Sequence, residues 1–405
     1  MPAQAGGVVG ASDARVTTPS APHPPLLEKE GRNALTIITV FTSEDHRHMV
    51  HALELAERGL YTATPNPRVG CVIVREGVVA GEGWHERAGG PHAEVSALAA
   101  AGARARGATA YVSLEPCVHQ GRTGPCAEAL IKAGCTRVVA ALQDPNPLVA
   151  GRGIAALREK GVDVTCGLLE NEARELNVGF VSRMTRGRPW VRMKLAASLD
   201  GKTALLNGKS QWITGEAARR DGHHWRARAC AVLTGIGTVR DDDPRLTVRE
   251  VATARQPLRV VVDSKLETPL TAKILEGGGV LVAAAREDRA RIAALKAKGA
   301  EVVVMPNNAG KVELVDLFRE LARREMNEVH VEGGFRLNGS LLAEGLVDEL
   351  VVYLAPSIIG DAAHGMFHLP ELADLAGRRQ LAIRDLRLVG PDIRVLARFV
   401  EPLTR

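Results

Sequence analysis

The 405-residue chain, at +5 net charge with 45% hydrophobic and 24% charged residues, is long enough for two or three globular domains. Its 3% aromatic content argues against the stacking platforms of single-strand nucleic-acid binders, and no apolar run reaches the length of a membrane span. The basic balance therefore points to anionic small molecules, phosphorylated metabolites above all.

Residues 1–41 gather Pro2, Pro19, Pro22, Pro24 and Pro25 among Ala, Gly, Ser and Thr, a composition too poor in core-forming side chains to order itself. A disordered extension is expected there, without the basic and apolar regions of a secretory signal. Thr42-Ser43-Glu44-Asp45 opens a helix, since a capping hydroxyl and an acid three residues on can close the first turn. Met49, Leu53, Ala56 and Leu60 continue it at helical spacing. Thr64-Pro65-Asn66-Pro67 breaks the chain before a buried strand, Val69–Val74, and Glu76-Gly77 turns it into a short second strand, Val78–Ala80. A glycine-rich loop from Gly81 to Pro91 precedes an alanine-rich helix, His92–Ala101. Strand Ala108–Leu114, helix Cys126–Ala133, strand Arg137–Leu142, helix Gly153–Lys160 and strand Val162–Cys166 follow, and a helix from Glu170 to about Thr185 closes this alternating α/β half.

Arg186-Gly187-Arg188-Pro189 marks the boundary, giving domains at 42–186 and 187–405. The second half alternates again. Its strands are expected at Trp190–Ala197, Ala231–Leu233, Leu258–Asp263, Val280–Ala284, Glu301–Met305, Glu328–Val331 and Glu349–Leu354, with a terminal antiparallel pair at Leu381–Leu388 and Ile393–Phe399. The six cysteines (71, 117, 126, 135, 166 and 230) are scattered through a long chain, which speaks against a disulfide framework and for a reducing cytoplasm.

The chemistry concentrates in His92-Ala93-Glu94, answered by Pro116-Cys117 and Pro125-Cys126. One imidazole and two thiolates can hold Zn²⁺ with a fourth position left for water, and an adjacent acid outside the ligand set can shuttle protons. That order of residues is the signature of zinc-dependent base deaminases, with Glu94 as the catalytic acid and base. The general signature places two residues between the cysteines, whereas eight separate Cys117 from Cys126 here. Within that insertion His119 is the nearby residue able to close the site as a structural fourth ligand.

The stretch Pro-Cys-x-His-x-Gly-Arg-Thr-x-Pro-Cys at 116–126 resembles the bifunctional deaminase–reductases of riboflavin biosynthesis. The second half supports the resemblance through Lys194-Leu-Ala-Ala-Ser-Leu-Asp-Gly-Lys202, Ser210-Gln-Trp-Ile-Thr214, Gly235-Ile-Gly-Thr238, Asp241-Asp-Asp-Pro-Arg-Leu-Thr-Val-Arg249, and Glu332-Gly-Gly334 before Leu337-Asn-Gly-Ser340. It contains no Walker motif and no G-x-G-x-x-G. The resemblance implies a cytidine-deaminase-like three-layer α/β/α domain followed by a dihydrofolate-reductase-like α/β domain. It implies Zn²⁺ at His92, Cys117 and Cys126, and NADPH in the second half. Asn66 and His85 would contact the pyrimidine in the deaminase. Ser210, Arg226, Leu246, Arg249 and Glu332 would contact the reductase substrate, the two arginines gripping its phosphate. Ala196, Trp212, Thr238, Asp242, Ser264, Gly334, Phe335, Arg336, Leu337, Asn338, Gly339 and Ser340 would line the NADPH site, and Lys194 would act on the sugar. The partner expected is a phosphorylated pyrimidine, with no nucleic acid and no membrane, and the family admits a homo-oligomer. A tRNA base deaminase with an accessory domain is the alternative, but leaves the second half without a role. A non-enzymatic binding protein on a decayed deaminase has no need of Glu94.

Overall fold

A computed structural model describes residues 41–118 and 124–400. The expected extension at 1–41 thus lies outside the described residues except for Phe41, and so does His119. In the first half the order is α1 (Ser43–Glu57), β1 (Gly70–Arg75), β2 (Val78–Trp84), α2 (Ala93–Ala101), β3 (Thr109–Val112) and α3 (Cys126–Ala133). Then come β4 (Arg137–Ala140), α4 (Arg152–Glu159), β5 (Asp163–Cys166), α5 (Glu170–Leu176) and α6 (Val178–Arg186).

α1 begins where the sequence expects: Thr42 Oγ1 accepts the Asp45 N–H (3.1 Å) and the Asp45 carboxylate accepts the Thr42 N–H (3.0 Å), a reciprocal cap that satisfies two otherwise open donors. The five strands form one sheet in the order β2-β1-β3-β4-β5, antiparallel as far as β3 and parallel from there. Strand alternation sends Cys71, Ile73, Ala110, Val112 and Val138 towards α2, α3 and α4, and Val72, Val74, Tyr111 and Val139 towards α1 and α6. Three layers result from this period of two.

Two local expectations are corrected. β2 runs on to Trp84 through the segment read as a loop, because Gly81 and Gly83 lie directly under α2. A Cβ on Gly81 would fall 2.4 Å from Ala97 O, and one on Gly83 2.6 Å from Ser96 Cβ. The closing helix breaks at Asn177 into α5 and α6. There the Asn177 side chain is committed to the backbone of Arg68, accepting from its N–H (2.8 Å) and donating to its carbonyl (2.9 Å).

The second half continues with β6 (Trp190–Ser198), β7 (Lys202–Ala204), α7 (Glu216–Arg228), β8 (Ala231–Gly235), α8 (Ile236–Asp242), β9 (Leu258–Val262), β10 (Val280–Ala284), α9 (Arg289–Ala297) and β11 (Ala300–Val304). It ends with α10 (Leu314–Arg323), β12 (Glu328–Val331), α11 (Phe335–Ala343), β13 (Glu349–Ala355), β14 (His364–Gly365), β15 (Leu381–Val389) and β16 (Asp392–Phe399). Nine strands form one sheet, β11-β10-β9-β8-β12-β6-β13-β16-β15, and β7 pairs separately with β14. From β11 to β13 all neighbours are parallel; β16 and β15 close the sheet antiparallel. The central strands are the continuous apolar runs that a sheet covered on both faces requires, Val280–Ala284 being buried at every residue.

The two halves meet across buried charge. Glu328, 1% exposed, accepts from Arg68 of the first half (2.8 Å) and from Arg192 (2.9 Å) and Arg228 (2.7 Å) of the second. Burial alone would raise its carboxyl; Arg228, Arg68 and Arg192 together hold it well below the usual carboxylate range. Arg192 also donates to Glu349 (2.5 Å), which takes a further bond from Arg398 (2.9 Å).

Candidate active sites

Three element ends converge in the first half. His92 is the N-cap of α2, one position ahead of the first turn in which the sequence places it. Cys117 follows β3, and Cys126 is the first residue of α3. Their ligand atoms all lie within 4.8 Å of one another, with His92 Nδ1 3.2 Å from Cys126 Sγ and 3.6 Å from Cys117 Sγ. One imidazole and two sulfurs facing a common point fit Zn²⁺ in donor type and spacing. The Cys126 thiol and His92 hold Cys117 well towards the thiolate. Behind the ligands, Glu115 accepts backbone N–H groups from Asp144, Gly151, Gly153 and Ile154 (2.8–3.1 Å), which fixes the chain entering Pro116-Cys117.

Glu94 is 3% exposed in the first turn of α2, and burial pushes its carboxyl up to about 7. A carboxyl near neutrality can both take and return a proton. His85 stands edge-on to His92 with ring centroids 5.5 Å apart. Burial, with His92 adding to it, lowers the His85 imidazole, so the ring is neutral. Its Nδ1 faces Pro91 O at 2.9 Å and must donate, leaving Nε2 to accept from Asn66 Nδ2 at 3.0 Å. Asn66 Oδ1 has no hydrogen bond among the described residues.

In the second half a cleft of about 1360 Å³ opens at the C-terminal ends of β6, β8, β9 and β12, where open α/β sheets bind ligands. Lys194, Ala196, Ser210, Trp212, Arg226, Thr238, Asp242, Leu246, Arg249, Ser264, Glu332, Gly334, Phe335, Arg336, Leu337 and Asn338 all line it. Gly339 and Ser340 do not. Gly339 packs on the backbone of His368, where a Cβ would fall 1.9 Å from the carbonyl oxygen, and Ser340 Oγ donates to Arg336 O at 3.1 Å. α11 starts at the cleft with Gly334 as N-cap, so its open N–H groups can receive an anion.

Arg226 departs from the free phosphate grip expected of it. Its guanidinium is committed to both oxygens of Glu332 and to Thr247 O (3.2 Å). The exposed Arg249 donates from its side chain to Thr247 Oγ1 (3.1 Å) and keeps most of its donors for a ligand. Ser210 Oγ donates to Asp242 (2.8 Å), and Trp212, 70% exposed, lies beneath the Arg219 guanidinium at 4.7 Å. Burial lowers the Lys194 ammonium against the opposing pull of Glu332.

Residues 42–142 match the family described as the cytidine and deoxycytidylate deaminase zinc-binding region, and residues 189–395 match the RibD C-terminal domain. The riboflavin biosynthesis protein RibD of Escherichia coli is 48% identical over 363 residues, covering 86% of this chain and 98% of that protein. The chain belongs to the RibD family. The RibD of Aquifex aeolicus is 46% identical over 319 residues, covering 78% of this chain and 88% of its own. Among solved structures, Acinetobacter baumannii RibD aligns at a TM-score of 0.83 with 44% identity, covering 88% of this chain and 99% of that one. The diaminohydroxyphosphoribosylaminopyrimidine deaminase/5-amino-6-(5-phosphoribosylamino)uracil reductase of Thermotoga maritima aligns at 0.77 with 32% identity, over the same shares. As a RibD-family protein the chain is a bifunctional enzyme of riboflavin biosynthesis, a zinc deaminase joined to an NADPH-dependent reductase.

The RibD fold also brings residues to these sites that the motifs do not mark. His223 lines the reductase cleft one turn before Arg226 on α7, and its Nδ1 accepts the Arg249 N–H (3.2 Å). Burial, helped by Arg226 and Arg249, brings its imidazole down to about 4. The i, i+3 spacing of His223 and Arg226 is visible in the sequence once α7 is recognised as a helix. Lys265 and Lys311 at the cleft wall stand far apart in sequence and carry no such signal.

Proposed function

We propose that residues 42–186 deaminate 2,5-diamino-6-(5-phosphoribosylamino)pyrimidin-4(3H)-one. Residues 187–405 then reduce the ribosyl group of 5-amino-6-(5-phosphoribosylamino)uracil to ribityl. The convergence of His92, Cys117 and Cys126 beside buried Glu94 carries this reading. His92 Nδ1 and the two thiolates would hold Zn²⁺, which when bound supplies the Lewis acidity that makes water nucleophilic at neutral pH. Glu94 takes the proton of the attacking water and delivers it to the departing ammonia. Asn66 offers its uncommitted Oδ1 to a donor on the pyrimidine edge, and neutral His85 holds Asn66 in place.

In the second half NADPH supplies the hydride. The Gly334–Asn338 turn, Ala196, Trp212, Thr238, Asp242 and Ser264 would cradle it, and Gly339 and Ser340 would support that turn from behind. Lys194 would place its ammonium on the sugar oxygen, the Arg226–Glu332 pair would orient the ribosyl group with Ser210 and Leu246, and Arg249 would grip the phosphate. The domain limits are supported by Gly187, the left-handed C-cap of α6 at φ 66°, which ends the first half just before β6. No helix among the described residues is long and apolar enough to cross a membrane. Six free cysteines support a cytoplasmic location. Assembly of copies is supported by the open edge strand β15, where Ile383, Leu386 and Leu388 are 63%, 63% and 73% exposed. The tRNA reading has no use for the reductase cleft.

The test uses the zinc-loaded chain and the diaminopyrimidinone ribosylamine phosphate. Ammonia release without NADPH, followed by NADPH oxidation when it is added, is the expected result. No ammonia from this substrate would overturn the reading.

A further inference from the structure

The loop that carries Asn66 belongs to the deaminase half in sequence and leans on the reductase half for its support. Tyr61 O accepts from Arg255 Nε (3.1 Å), Thr64 Oγ1 lies 3.0 Å from Cys230 Sγ, and Pro65 O accepts from Asn327 Nδ2 (2.9 Å). Arg68, two residues past Asn66, donates to Glu328. Three of these supports meet at one place, the starts of β8 and β12, where the Asn327 N–H donates to Cys230 Sγ (3.2 Å).

Asn327 is 5% exposed, and the orientation of its amide is fixed by its partners. Its Oδ1 accepts from Arg183 Nε (2.7 Å), which can only donate, and its Nδ2 faces the Pro65 carbonyl, which can only accept. The carbonyl it holds belongs to the peptide unit that joins Pro65 to Asn66. Rotation of that unit would swing the Asn66 side chain away from His85 Nε2, 3.0 Å distant.

We propose that Asn327, a residue of the reductase half, is a positioning residue for deamination: by pinning the Pro65 carbonyl it holds Asn66 ready for the pyrimidine. The proposal rests on the reading of Asn66 as a substrate contact. A side chain fixed before binding loses less freedom when the ligand arrives, so the effect falls on substrate affinity. Zinc, its ligands and Glu94 are untouched by Asn327. β12 carries Glu332 of the reductase cleft just beyond its other end, five residues and about 16 Å of strand away, so the two sites share one strand.

The experiment measures deamination KM and kcat, zinc content, and reduction of the already deaminated compound. It uses the full chain as wild type, Asn327→Ala, Asn327→Asp, Asn66→Ala and the Asn66→Ala/Asn327→Ala double variant. Asn327→Asp keeps the acceptor for Arg183 and removes the amide donor that serves the Pro65 carbonyl and, at 3.5 Å, Thr64 Oγ1. Both Asn327 variants are expected to raise deamination KM about tenfold, with kcat, zinc content and reduction at wild-type values. In the Asn66→Ala background, Asn327→Ala should add little, as coupled residues do. An unchanged KM in both Asn327 variants, while Asn66→Ala raises it, overturns the proposal alone. A joint fall of kcat, zinc content and reduction overturns it in favour of a general structural role. If Asn66→Ala leaves KM unchanged, the reading of Asn66 fails and takes the proposal with it, while the zinc chemistry stands.

Discussion

The zinc-ligand cluster is compact and gathered from three element ends between His92 and Cys126, with Glu94 almost wholly buried beside it. The reductase cleft is open, holds about 1360 Å³, and draws its lining from residues as far apart as Lys194 and His364. The difference follows from the chemistry each must supply. A metal site needs a few side chains of rare type at short range, because the ion provides the reactivity. A dinucleotide site needs surface, backbone N–H groups and orientation, because the cofactor provides it. Each site should therefore fail in its own way when damaged.

Cys126→Ser, or removal of zinc by a chelator, should cut ammonia release by about 10³-fold or more and leave reduction of the deaminated compound intact. Parallel assays of the two reactions check this, and equal loss of both would erase the distinction. Damage to the buried charge cluster at the shared boundary should have the opposite character. Glu328→Gln leaves Arg68, Arg192 and Arg228 around a neutral group, which costs about 3 kcal/mol of stability. Thermal unfolding should show it, with both activities lost together on heating.

The same cluster contributes to the acid limit. Burial raises Glu328 and Glu349, but their arginines overcome it and hold both carboxyls low in the fold. Their contribution is complete above the unfolded carboxylate value of about 4.3 and drains away as pH falls through the folded values. Unfolding followed between pH 7 and pH 2 should show a shallower acid loss for Glu328→Gln than for wild type.

Within the cleft, Glu332→Gln weakens the clamp on Arg226 and should slow reduction about 100-fold through misplacement of the substrate, with ammonia release unchanged. Arg249→Ala should have the smallest effect. It removes the exposed guanidinium proposed to grip the phosphate and should raise the KM of reduction about tenfold. A larger effect than that of Glu332→Gln would show that the phosphate grip, and not the buried pair, organises the cleft.

What the sequence discloses follows the same division. His92, Glu94, Cys117 and Cys126 are legible because few other arrangements of those residue types make sense. The parallel strands are legible as apolar runs between polar turns. The break at Asn177 is hidden because it depends on Arg68, 109 residues away. The extension of β2 to Trp84 depends on how closely α2 approaches, which glycines permit but do not announce. Arg226 reads as a free cation until β12 brings Glu332 against it. Asn327 carries no motif at all, since its meaning lies in the opposite domain.

The central claim is that one chain holds two separable chemistries in order, and Glu94→Gln tests it most directly. The variant should be given each of the two pyrimidines with NADPH while ammonia and NADPH are followed together. We expect no ammonia and no NADPH oxidation from the diamino compound, and wild-type NADPH oxidation from the deaminated one. Ammonia release at the wild-type rate, or loss of both reactions in a folded, zinc-loaded variant, would contradict the account.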